Sequence, residues 1–260
     1  MNLKWKGGSL LSQMIWREVL GRYRGSVIGL MWSFLHPLLM LAVYAFVFGV
    51  VLPARWPSAD TPGDFALNLF AGLIVYGLFS ECVNRAPDLV LNNVNYVKKV
   101  VFPLHFLPIS VLVSALFHSL VSLFILLLFF MFLHGLPYLT VLWVPVIWLP
   151  FILFTIGLSW VLASLGVYLR DIAQVVGVTT TALLFLSPVF YPASALPEAL
   201  QGWMFLNPLA LVIEQTRSAV LQGVSPNWQA WGIYMVVGLI TAWLGYLWFI
   251  KTRKGFSDVL

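Results

Sequence analysis

The 70 residues VVFPLHFLPISVLVSALFHSLVSLFILLLFFMFLHGLPYLTVLWVPVIWLPFILFTIGLSWVLASLGVYL, positions 100–169, contain no Asp, Glu, Lys or Arg. A helix rising 1.5 Å per residue would carry this run about 105 Å, more than three times the roughly 30 Å hydrocarbon core of a bilayer. The run must fold back. HGLPY, 134–138, supplies the turn, because Gly and Pro meet there. Two membrane spans follow, 104–133 and 139–169.

The rest of the chain agrees. Of 260 residues, 61% are hydrophobic and only 9% charged, with a mean hydropathy of +0.96. A soluble domain carries about 25% charged residues, so this chain cannot cover a water-facing surface. The composition defines an all-α integral membrane protein. Its 12 Trp suit two broad water–lipid boundaries. The single cysteine, Cys82, forms no internal disulfide or cysteine-based metal cluster. Lys4 and Lys6 could open a cleaved signal, but Arg17, Glu18, Arg22 and Arg24 interrupt the apolar stretch that should follow. The first 24 residues are expected to be retained.

Uncharged runs give the other spans, at 26–52, 65–84, 172–191 and 227–250, with Glu81 near the end of the second. PARWPSADTPGD, 53–64, reads as a polar loop, and 85–103 as a polar connection. Residues 192–226 are apolar yet broken by Pro192, Pro197, Pro208 and Pro226, and carry Glu198, Glu214 and Arg217. The apolar pieces 199–206 and 209–213 are too short to cross, so the segment is expected to form two short re-entrant helices. Such backbone survives at membrane depth only when buried in protein or lining a wet cavity.

The whole chain, 1–260, thus reads as one domain of six transmembrane helices. Residues 1–25 form an interface segment ahead of it and 251–260 a tail. With both ends cytoplasmic, inside segments hold Lys4, Lys6, Arg17, Arg22, Arg24, Arg85, Lys98, Lys99, Arg170, Lys251, Arg253 and Lys254, and outside segments only Arg55 and Arg217. That is a strong inside-positive bias. Pro37 sits in span one and should bend it.

Several chemistries lack their residues. No G-x-x-x-x-G-K-[ST] loop occurs, so the chain does not bind and split ATP by that device. Ion-coupled transporters keep ionisable groups near the membrane midplane, whereas spans one, three, four, five and six hold no Asp, Glu, Lys or Arg, and Glu81 lies at an end of the second. His36, His105, His118 and His134 are scattered and read as polar helix contacts, and GLSWV, 157–161, misses the second glycine of a nucleophile elbow. No metal site or catalytic residues emerge, and energy must come from a partner.

Read together, RYRGSVIGLMW (22–32), YVKKVVFPLHFLP (96–108), LRD (169–171), SPVFYP (187–192), NPLALVIEQTR (207–217) and the terminal GFSDVL resemble a known family in order and spacing. They are similar to the membrane subunit of ATP-binding-cassette exporters for surface polysaccharides, the type-2 permease class that includes O-antigen, capsule and teichoic-acid exporters. His105 departs from the pattern, which often has Glu after FPL. The resemblance implies a homodimer on two separate ATPase subunits that hold the ATP and Mg²⁺, with no cofactor in this chain. It implies a lipid-linked polysaccharide cargo crossing a bacterial inner membrane among membrane lipid, and no nucleic acid. Glycolipid or drug cargo is the alternative within the class.

Candidate residues follow from the two readings together. SLLSQMIWREVLGRYR, 9–24, has helical periodicity and would touch the ATPase or anchor to the inner leaflet, with Arg17 and Glu18 as coupling residues. PDLVLNNVNY can form a short coupling helix with Asp88 near its start and Asn92 and Asn93 exposed, followed by Lys98 and Lys99. Each of these equally suits an ordinary polar loop. Arg22, Arg24, Lys98 and Lys99 would draw an anionic lipid diphosphate to a cytoplasmic entrance, although basic inside loops arise from topology alone. Trp32, His36, Tyr44, Phe185, Phe190 and Tyr191 would line a conduit, or simply pack. Glu198, Glu214 and Arg217 would form an outward gate; Glu214 and Arg217, three apart, share a helical face.

Overall fold

The computed structural model describes residues 7–23, 25–47, 61–99, 102–197, 202, 204 and 207–260. Arg24, Glu198 and most of the 53–64 loop lie outside these residues, as do the side chains of Lys98 and Lys99. Among the described residues every regular element is a helix.

Helix α1 covers Gly7–Gly21, and a tight turn at Gly29–Met31 leads into α2, Trp32–Phe46. Helix α3, Pro62–Arg85, starts from a reciprocal cap: the Thr61 N–H donates to the Asp64 carboxylate at 2.9 Å, and the Asp64 N–H donates to Thr61 Oγ1 at 3.3 Å. Helix α4 is Val94–Lys99 and α5 is Phe106–His134. Helices α6, Val144–Tyr168, and α7, Ile172–Leu186, follow. The last are α8, Ala210–Leu221, α9, Trp228–Thr252, and α10, Phe256–Val259.

Among the described residues, five apolar helical stretches are long enough to cross a bilayer: Gly29–Phe46, Gly63–Arg85, Phe106–His134, Leu139–Tyr168 and Trp228–Val259. They coincide with five of the six expected spans. The first begins later than expected, because Gly25 (φ 87°) and Gly29 (φ 57°) take left-handed conformations that separate α1 from α2. The expected span at 172–191 is realised as a 15-residue helix, about 22 Å long. It stops at Leu186 because Ser187 precedes Pro188 and adopts an extended conformation (ψ 155°). In the expected re-entrant segment, α8 runs past 213 to Leu221, and 199–206 falls largely outside the described residues.

Helix α3 is the hub, mostly buried and packed on α2, α5, α6, α7 and α8, whereas α9 lies along α6. The α6–α9 contact depends on missing side chains: a Cβ on Gly157 would strike the Thr241 carbonyl, and one on Gly245 the Gly157 carbonyl. Small residues permit this approach where apolar burial cannot distinguish helix from lipid. A second apolar cluster joins Met14, Val90, Leu104, Leu107, Ala163, Val167, Phe249 and Phe256, with Leu10 and Leu260 packed against it. Both described ends of the chain therefore lie on one face of the bundle, the near face.

A Cβ on Gly72 would lie 3.3 Å from the Val189 Cα, and Gly72 is about three turns into α3 from its far end. The segment after α7 thus runs beside the first turns of α3, not beyond them.

Candidate functional site

On the near face, two arginines and two glutamates alternate. Arg85 in the last turn of α3 meets Glu18 of α1 at 2.5 Å and lies 3.6 Å from Glu81, which pairs with Arg22 at 2.6 Å. Arg17 of α1 donates to the Tyr96 hydroxyl of α4 at 2.5 Å, its guanidinium 5.6 Å from the ring centroid. Helix α1 is thereby tied to both α3 and α4. Arg22 is not a free cation, because Glu81 answers its charge; neither Glu81 nor Arg85 stood out as a site residue along the sequence.

The expected helix over PDLVLNNVNY forms only in part. Residues 86–90 are turns, Leu91–Asn93 is a short 3-10 turn, and α4 begins at Val94, so Asp88 does not sit at a helix start. The cause is packing: Leu89 and Val90 are buried, and the Pro87 carbonyl lies where a Gly166 Cβ would be. Asp88, Asn92 and Asn95 are nonetheless exposed at four- and three-residue intervals, while Asn93 is half-buried and donates to the Leu89 carbonyl at 2.8 Å. This leaves a polar stripe facing away from the bundle on a segment anchored to α6.

Beside the network is a cleft of about 490 Å³ between the α1–α2 turn, α2 and α5, within the usual range for ligand pockets. Arg22, Trp32 and His36 line it, together with Tyr23, Ser33, His118 and Ser122. The Tyr23 hydroxyl lies 3.4 Å from His118 Nδ1. Burial raises the Tyr23 pKa, against the Arg22 charge, so the phenol keeps its proton. Along the sequence His118 reads only as a polar helix contact. It is 95 positions from Tyr23, so no local pattern could have joined them.

The other conduit candidates lie elsewhere. Phe185 and Phe190 stack at 5.5 Å, and the Tyr191 hydroxyl donates to the Phe185 carbonyl at 3.0 Å. Tyr44 is half-buried and packs against the main core. Within one chain, then, the structure gathers Arg22, Trp32 and His36 at the near end and the α7-end aromatics towards the far end.

Arg217 is 1% exposed and reaches into the bundle. Its Nε donates to the Asn68 carbonyl at 2.8 Å, Nη1 to the Pro188 carbonyl at 2.5 Å and Nη2 to the Val189 carbonyl at 2.7 Å, with Glu214 3.3 Å away. The expected Glu214–Arg217 pair exists, but the guanidinium chiefly fastens the post-α7 backbone to α3. Among the described residues, no group of three or more His, Cys, Asp or Glu could hold a metal ion.

Among the described residues, a helical bundle with five bilayer-length apolar helices, a polar cleft and a charged face beside both described ends has the build of a multi-pass membrane protein. The chain belongs to the ABC-2 type transporter family, whose profile matches residues 9–221. It is similar to the O-antigen export system permease protein RfbA of Klebsiella pneumoniae, 28% identical over 92% of this chain and 90% of that one. The protein of the same name from Myxococcus xanthus is 29% identical over 96% and 94%. The polysialic acid transport protein KpsM of Escherichia coli is 25% identical over 92% and 91%.

Proposed function

We propose that this chain is the membrane subunit of an ATP-driven exporter that moves a lipid-linked, O-antigen-like polysaccharide from the cytoplasmic to the outer leaflet of a bacterial inner membrane. Two copies stand on two separate ATPase subunits, which hold the ATP and Mg²⁺, and the near face is cytoplasmic. Similarity to export permeases along more than nine-tenths of the chain supports the cargo class. The inside-positive bias of the basic residues supports the orientation.

Six crossings are the topology we favour. The packing of both described ends into one cluster supports an even number of crossings, with α7 and the residues after it as the one beyond the five long helices. Residues 192–226 then re-enter from the outer side. The Arg217 bonds support this by satisfying backbone carbonyls at that depth.

One observation carries the mechanism: Arg22 lines the cleft and also belongs to the ion-pair network that reaches α1 and α3. ATPase closure presses on Asp88 and Asn92 and on α1 around Arg17 and Glu18; Lys98 and Lys99 border this contact. The push passes through the Pro87–Gly166 contact to α6, and through Arg85 to α3. At the cleft, an anionic headgroup competes with Glu81 for Arg22, and Arg85 is near enough to take up the released carboxylate. Trp32 and His36 flank the headgroup. The α7-end aromatics Phe185, Phe190 and Tyr191 offer sugar-sliding surfaces farther out, with Tyr44 along α2. Glu214 and Arg217, and Glu198 by its sequence position, border the outer opening.

The test is a strain lacking the chain, with complementation by the wild-type chain restoring export as the control. Loss of surface polysaccharide with intracellular build-up of its lipid-linked form is expected. Normal surface polysaccharide with build-up of a glycolipid or a drug would overturn the cargo assignment. Export by the chain without any ATPase would overturn the mechanism.

A further inference from the structure

On the far side, away from the cleft, the first turns of α3, the end of α5, the turn after it and the end of α8 enclose a pocket of about 160 Å³. Asp64, Asn68, Phe130, His134, Tyr138 and Gln222 line it. Asn68 is only 4% exposed, and its Nδ2 donates to the Asp64 carbonyl at 2.9 Å. Its Oδ1 is buried without a hydrogen-bond partner. A buried amide oxygen left unpaired costs about 1–3 kcal/mol, so a donor that reaches it through a small shift of the Asn68 side chain at the pocket wall is favoured.

The neighbouring groups narrow the choice of donor. One Asp64 oxygen accepts from the Thr61 N–H and hydroxyl, each at 2.9 Å, and the other lies 2.6 Å from His134 Nε2. A single carboxylate already engaged on both oxygens is a poor cage for a bare cation, yet it retains lone pairs for a hydroxyl. Gln222 is exposed and brings both a donor and an acceptor. The aromatic wall is fixed: Tyr138 lies 5.9 Å from Phe130, and a Cβ on Gly223 (φ 69°) would come within 2.8 Å of the Tyr138 ring. Thr140 donates to the Ala219 carbonyl at 2.5 Å, tying the two walls together. Tyr138 remains 48% exposed, so the pocket is open from outside.

Planar carboxylate and amide groups beside an aromatic ring match the surface of a sugar, which presents hydroxyl donors on its edges and a C–H patch on its face. We propose that this pocket is a subsite for a single neutral pyranose unit, which gives one of its hydroxyl protons to Asn68 Oδ1 and lays its C–H face against Tyr138. The inference rests on the export reading only for the source of the sugar, an emerging glycan.

The test uses the purified full-length chain in lipid nanodiscs, free of sugar-based detergent. Saturation-transfer NMR is run with free D-glucose, D-galactose, D-mannose and N-acetyl-D-glucosamine. At least one sugar should give a transfer signal, and Tyr138→Ala and Gln222→Ala should each weaken it about tenfold, roughly 1.4 kcal/mol, with unfolding temperature unchanged. Asn68→Asp keeps an acceptor and should retain binding, while Asn68→Leu should lose it. No signal with any of the four sugars, a signal indifferent to these variants, or protection by Ca²⁺ instead of sugar would overturn the proposal. Because binding is read without the ATPase, a positive result stands even if the exporter assignment fails.

Discussion

Replacing Arg217 with Ala tests whether one side chain holds the segment after α7 against α3. In the folded protein its guanidinium serves the Asn68, Pro188 and Val189 carbonyls while 1% exposed. Asn68 also sits within a helix, so the severe loss falls on the Pro188 and Val189 carbonyls outside it. Stranding a buried acceptor costs about 1–3 kcal/mol, giving about 2–6 kcal/mol for the two. Removing a buried cation returns part of this, and about 3 kcal/mol remains. For a chain of this size that corresponds to a fall of roughly 6–12 °C in unfolding temperature. Arg217→Lys should recover less than half, because an ammonium cannot direct a planar fork of donors to three acceptors. Gly72 supplies an independent check: a Cβ there would lie 2.8 Å from Arg217 Nη2. Gly72→Ala should therefore destabilise the wild type but add little to Arg217→Ala. Tryptophan-fluorescence unfolding in nanodiscs measures the wild type, the three single variants and the double variant. An Arg217→Ala variant that unfolds within a degree or two of wild type, or full additivity with Gly72→Ala, would refute the clamp.

Three further outcomes are expected. Gly245→Leu should prevent α9 from lying along α6 and abolish recovery of folded protein by size-exclusion chromatography, whereas Gly232→Leu, with nothing within 4 Å of a Cβ, should behave as wild type. Asn92→Pro should leave insertion and near-basal ATP hydrolysis intact while reducing export at least tenfold in paired ATPase and export assays, since it alters the stripe presented to the partner. Burial, with help from the Arg253 charge, lowers the His105 pKa below its ordinary 6.5, so below that pH the unfolded chain binds the proton before the folded one. Stability should therefore fall as pH drops below about 6.5, and His105→Gln should flatten that slope in a pH series of unfolding temperatures.

The placement of spans was written in the sequence, because lipid immersion is an additive property of local composition. The run 100–169, the HGLPY turn and the flanking cations state it without reference to any distant residue. The same logic failed where backbone chemistry overrode hydropathy: Pro188 ends α7 early, Gly25 and Gly29 delay α2, and the buried Leu89 and Val90 hold the segment before α4 in turns. The candidate site was legible in kind but not in arrangement. Arg22, Trp32 and His36 do share a cleft, yet Tyr23 and His118 join it across 95 residues.

Only tertiary structure decided the partners. Arg85 meets Glu18 across 67 positions, His134 meets Asp64 across 70, and Arg217 reaches Asn68 across 149. In water a helix declares its buried face by amphipathicity. In a bilayer, lipid-facing and helix-facing surfaces are both apolar, so the pattern along each span does not say which side is packed. Helix packing alone brings those charges together.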